Sequence, residues 1–155
     1  MLRFTSYDIV FQEIPREVSL AINISNCPNT CVGCHSPHLK ENIGDILNEH
    51  VLSELIHRYG DSITCVCFMG GDINPKEVEQ LALFVKTVTN RQTKTAWYSG
   101  KDCLSPNCDY RNFDYIKLGP YIEEYGALNV PTTNQRFYQI VEDRMIDITS
   151  MFWKN

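Results

Sequence analysis

Val18-Ser-Leu-Ala-Ile-Asn-Ile-Ser25-Asn26-Cys27-Pro28-Asn29-Thr30-Cys31-Val32-Gly33-Cys34 changes character halfway along. In its first half Val18, Leu20, Ile22 and Ile24 alternate with Ser19, Ala21, Asn23 and Ser25. A period of two is the mark of a strand with one apolar face. The alternation then stops. Three cysteines follow within eight positions, on a stretch that Pro28, Asn29 and Gly33 mark as a loop. A strand thus delivers a cysteine loop at its C-terminal end.

Downstream, strand and helix patterns alternate. Residues 46–59 read as a helix, with Leu47, Val51, Leu52, Leu55, Ile56 and Tyr59 on one stripe. Residues 63–69 form an apolar run of strand length ending in Gly70-Gly71. Asn74-Pro75-Lys76-Glu77 then starts a helix. Asn74 is a capping residue, Pro75 suits the first helical position, and Glu77 lies three residues after the cap. Val78, Leu81, Ala82, Val85 and Val88 give this helix its buried face. Residues 93–98, 115–118 and 136–141 read as further strands, and an apolar tail follows through Met151, Phe152 and Trp153. This order predicts an α/β fold with a parallel sheet and functional loops at the strands' C-terminal ends. A complete eight-fold barrel takes about 250 residues. A chain of 155 residues supplies about five units, so the expected architecture is a single domain over residues 1–155 containing an incomplete (β/α) barrel.

Three thiolates on a short loop can converge on three irons of a cubane cluster, which ordinarily takes four cysteines. No fourth cysteine stands at matching local spacing. The direct reading is a [4Fe–4S] cluster whose fourth iron is open to a small ligand. Two other metal readings stay open. Cys31-Val-Gly-Cys34-His35 matches the c-type haem attachment pattern. A structural zinc ion could combine the three cysteines with His35 or His38, making the chain a non-catalytic binding module.

The remaining composition narrows the class. Net charge is −5, which gives no overall attraction to nucleic acid or an anionic membrane. No apolar run reaches the ~20 residues of a membrane span, and the N-terminus lacks a cationic stretch followed by an apolar core. Seven cysteines is an odd count, unlike a secreted disulfide scaffold. A cytoplasmic protein with neither nucleic-acid nor membrane partners is the expectation.

The CxxxCxxC loop after the first predicted strand is similar to the signature of the radical S-adenosylmethionine superfamily. Met69-Gly70-Gly71-Asp72 at a strand end resembles that superfamily's Gly-Gly-Glu/Asp motif. Cys34-His35, Trp97-Tyr98-Ser99-Gly100, Leu118-Gly119-Pro120-Tyr121-Ile122-Glu123-Glu124 and Asn134-Gln135-Arg136 look like segments of the anaerobic ribonucleoside-triphosphate reductase activating proteins. In three places the chain departs from common patterns. Gly33 stands where many superfamily members carry an aromatic, Ser36 follows His35 where Asn is frequent, and Ile73-Asn74 separate Asp72 from Pro75.

The resemblance implies an incomplete barrel of the radical SAM type with a [4Fe–4S] cluster held by Cys27, Cys31 and Cys34. It implies S-adenosylmethionine as second cofactor, cleaved reductively to a radical that takes hydrogen from a glycine of a partner. That partner would be the anaerobic reductase, or another glycyl-radical enzyme such as pyruvate formate-lyase. An electron donor such as flavodoxin is implied too. Gly70 and Gly71 would admit the methionyl group closely, Asp72 would pair with its ammonium, and Gly33 and His35 would lie beside the nucleoside. Ser99 would meet the ribose or carboxylate, or else simply cap a turn. Cys65 and Cys67 share one face of a strand by the two-residue period and read as core. Cys103 and Cys108 read as ordinary thiols of a surface loop, and His50 and His57 as solvated helix residues.

Overall fold

A computed structural model describes residues 1–26 and 42–153. Its first half holds β1 (Arg3–Val10), β2 (Ser19–Ile24), β3 (Asp45–Ile46), α1 (Glu49–Tyr59), β4 (Cys65–Met69) and α2 (Pro75–Val88). Its second half holds β5 (Lys94–Tyr98), β6 (Tyr115–Leu118), β7 (Arg136–Val141) and β8 (Arg144–Asp147). All eight strands lie in one sheet, ordered β3-β1-β2-β4-β5-β6-β7-β8. The centre, β2-β4-β5-β6, is parallel as the alternating pattern predicts. Both flanks are antiparallel.

The sheet runs from β3 to β8 without closing. Among the described residues the expected five strand–helix units reduce to two helical crossovers, α1 between β2 and β4 and α2 between β4 and β5. The passage from β5 to β6 holds only a single turn of tight helix at Tyr110–Asn112. Its sequence, rich in Asp, Asn, Pro and Ser, offers no apolar stripe with which a longer helix could pack.

The two-residue period sorts the core. Leu20, Ile22, Val66, Phe68, Trp97, Ile116 and Leu118 face the helices and pack with Leu52, Val78, Leu81 and Val85. The alternate residues Cys65, Cys67, Ala96, Tyr115 and Phe137 form a second cluster on the opposite face, around Ile14. Both Cys65 and Cys67 are core residues, as the strand period predicts. Phe152 closes that cluster, its ring 4.8 Å from that of Phe137.

The first helix begins at Glu49 rather than at residue 46, because Ile46 pairs with β1 as part of β3 and Asn48 supplies the cap. Asn48 accepts from Val51 N at 2.9 Å to cap α1. Asn74 accepts from Glu77 N at 3.2 Å, and Pro75 opens α2. Glu77, however, does not return to the cap. Its carboxylate accepts the Leu2 amide instead, tying the N-terminal segment to this helix. The Asn74 amide donates to Gly71 O. Only half of a capping box is therefore formed.

Candidate functional site

Because β2, β4, β5 and β6 are parallel, their C-terminal ends share one rim of the sheet. At that rim Gly70 N donates to Tyr98 O at 3.0 Å, and Ser99 N to Lys117 O at 2.9 Å. Gly119 N donates to Lys101 O at 2.7 Å. The turns after β4, β5 and β6 are thereby held side by side. The cysteine loop begins two residues after β2 reaches the same rim. Cys27, Cys31, Cys34, Gly33 and His35 themselves lie outside the described residues.

Gly70 and Gly71 adopt φ of +108° and +96°, a region open to glycine at little cost. A Cβ at Gly71 would stand 2.5 Å from Val78 Cγ2, so the residue is glycine in order to let α2 close on the sheet. At Gly70 a Cβ would meet Ile24 O at 3.1 Å. Trp97, buried among the helix-facing residues, donates its indole N–H to Gly70 O at 2.7 Å. Both glycines thus have local packing reasons, independent of any ligand.

Asp72 and Ser99, named separately from the sequence, are in direct contact. Ser99 Oγ donates to Asp72 Oδ1 at 2.6 Å, and Gly100 N donates to Oδ2 at 2.8 Å. The same Ser99 oxygen accepts from Lys101 N at 3.1 Å. Ser99 is therefore both a turn residue and a support for the Asp72 carboxylate, which is 8% exposed. Together they line a cleft of about 420 Å³ on the helix side, with Trp97, Lys101 and Cys103.

A second cleft of about 630 Å³ opens on the other face, lined by Met69, Tyr98, Lys117, Tyr121, Leu128 and Gln135 among others. The sequence patterns assigned no role to these residues. The available signal was Lys117, a lysine inside the otherwise apolar strand Tyr115-Ile116-Lys117-Leu118. It is 8% exposed; its ammonium donates to Ser99 O at 3.2 Å and Gly119 O at 2.7 Å.

Three cysteines outside the loop, Cys65, Cys67 and Cys108, are poor cluster ligands. Burial pushes the Cys65 and Cys67 thiols up, so they hold their protons within the sheet. Cys108, half-buried, is pushed up to about 11 by burial and then by the Glu79 carboxylate. Among the described residues no group of three His, Cys, Asp or Glu side chains is placed to hold a metal ion. His50 and His57 are exposed on α1, with His50 Nε2 3.1 Å from Glu54.

Residues 17–105 match the model of the 4Fe-4S single cluster domain, more than half of the chain. The chain belongs to that family. No curated protein and no solved structure matched it. This 4Fe-4S single cluster protein therefore binds iron as an iron–sulfur cluster, the first of the metal readings of its cysteine loop. The matched span begins just before β2 and takes in the cysteine loop, Gly70-Gly71-Asp72 and Ser99. No described helix is long and apolar enough to cross a membrane.

Proposed function

We propose that the chain is a radical S-adenosylmethionine activating enzyme that generates a glycyl radical on anaerobic ribonucleoside-triphosphate reductase. Bound by Cys27, Cys31 and Cys34, the [4Fe–4S] cluster supplies the electron that cleaves S-adenosylmethionine. One observation carries the reading: four parallel strands end at one rim, where Asp72 is held as a supported carboxylate, and the cysteine motif follows the first of those strands in the sequence. The fold this implies is the incomplete barrel of the radical SAM type, with β2-β4-β5-β6 as its parallel core.

The donor set fits the cluster by its chemistry. Thiolates are the ligands iron needs. Buried Cys65 and Cys67 resist ionisation, whereas the three loop cysteines follow β2 in the sequence on a stretch marked as a loop. Asp72 is fixed by Ser99 Oγ and Gly100 N, so a ligand ammonium meets a carboxylate already oriented. A charge-assisted bond of that kind contributes about 1.5–3 kcal/mol. The 630 Å³ cleft gives the partner's glycine-bearing segment a way to the rim, and docking there excludes water. The open sheet edge leaves room for so large a partner. A donor such as flavodoxin and an oxygen-poor cytoplasm complete the setting.

The test is anaerobic purification followed by reduction and addition of S-adenosylmethionine. The reading expects brown protein and formation of methionine and 5′-deoxyadenosine. Cys27→Ala, Cys31→Ala and Cys34→Ala should each abolish both products, while Cys103→Ala and Cys108→Ala keep iron and turnover. Iron loss in the latter two as complete as in the loop variants would overturn the ligand assignment.

A further inference from the structure

Lys117 breaks its own strand. Tyr115, Ile116 and Leu118 are buried apolar or aromatic residues, and a fourth would have packed without cost. Bringing an ammonium to 8% exposure is expensive unless its protons are used. Two of its hydrogen bonds go to the carbonyls that end two neighbouring turns, Ser99 O at 3.2 Å and Gly119 O at 2.7 Å. The Tyr98 ring lies 6.0 Å away, at the reach of a cation–π contact.

Both turns are tightly specified. Gly119 has φ of +110°, and a Cβ there would stand 3.1 Å from Gln135 Cα. Ser99 is 2% exposed and gives its hydroxyl proton to Asp72. Lys117 thus holds the backbone carbonyls of Gly119 and Ser99, and the hydroxyl of that same Ser99 holds Asp72, so the three are linked through the Ser99 residue. A buried polar group that departs from the local apolar pattern marks the kind of place where sequences give up consistency for function.

We propose that Lys117 is a positioning residue: by bracing the β5 and β6 turns it sets the direction in which Ser99 holds the Asp72 carboxylate. It acts through Asp72 on whatever cation the rim receives; with S-adenosylmethionine as that ligand, the inference rests on the function proposed above. Lys117→Met keeps the length of the side chain and removes its charge and donors. Binding of S-adenosylmethionine to the oxidised holoprotein should weaken about tenfold in that variant, with iron per chain unchanged. The decisive arm is a double-mutant cycle. In an Asp72→Asn background the same change should cost less than about twofold, since the linkage already ends in a neutral group. Equal losses in both backgrounds, or an unchanged affinity in Lys117→Met, would overturn the proposal.

Amide hydrogen exchange reads the same brace without any ligand. In Lys117→Met the Gly100 amide, which donates to Asp72, should exchange faster, with the Phe68 and Trp97 strand amides unaltered. Unchanged exchange at Gly100 would overturn the inference. If the unmodified holoprotein takes up no S-adenosylmethionine, the proposed function falls, and the exchange result still decides the role of Lys117. Should Lys117→Met fail to accumulate, Lys117→Gln removes the charge and shortens the reach to both carbonyls, and both measurements apply to it.

Discussion

Ser99 and Asp72 carry more meaning as a pair than either does alone. The sequence marks both as strand-end polar residues, and it leaves open whether Ser99 touches ligand or caps a turn. The structure spends its hydroxyl proton on Asp72. Twenty-seven residues separate the two, and only the parallel pairing of β4 with β5 brings them together. Lys117 was illegible for a similar reason: its two acceptors belong to turns whose adjacency is tertiary. Cysteines divide more readily, because the period of two already puts Cys65 and Cys67 on one buried face. Their environment predicts reactivity. With a thiol pushed up to about 11, Cys108 should alkylate far more slowly than exposed Cys103 in native protein at pH 8. Its rate should climb as pH rises toward that value, a profile peptide mapping after timed iodoacetamide pulses will show. The sign for stability follows: the folded value lies above the ordinary 9.0, so this contribution is present below about 9 and is lost as pH rises through about 11.

Elements with strong local signals formed as read. Helix α2 has its cap, its proline and its apolar stripe through Val85, while Val88 at its last turn is exposed, and the parallel strands fall within a residue or two of their expected limits. Those missed are the antiparallel flanks β1, β3 and β8. In β1, Arg3-Phe-Thr-Ser-Tyr-Asp-Ile-Val10 mixes polar and apolar residues without clean alternation, and β3 is only two residues long. For β8 the cause is turn chemistry. Hairpins of this type ordinarily announce themselves by Asn-Gly or Asp-Gly. Here Glu142 and Asp143 hold φ of +51° and +64° with no glycine between β7 and β8. Left-handed backbone is costly for such residues. Asp143→Gly should raise stability by roughly 0.5–1 kcal/mol, the relief of strain exceeding the added chain entropy. Chemical denaturation will measure it, and iron content should not change.

At the scale of the molecule, the alternating pattern predicts an α/β chain, and the described residues form a mixed α/β sheet with a parallel centre. Five units were too many, because the 99–114 passage lacks a helical stripe. Membership of the 4Fe-4S single cluster family accounts for the cysteine loop. The open sheet, the supported carboxylate and the cleft on the opposite face are the features on which the proposed action on another protein rests. The direct test is to mix the reduced protein, S-adenosylmethionine and an anaerobic ribonucleoside-triphosphate reductase deuterated at its glycine α-carbons, without oxygen. The account predicts a glycyl radical on the reductase by electron paramagnetic resonance, with deuterium recovered in 5′-deoxyadenosine. Consumption of S-adenosylmethionine with neither radical nor deuterium transfer would contradict it.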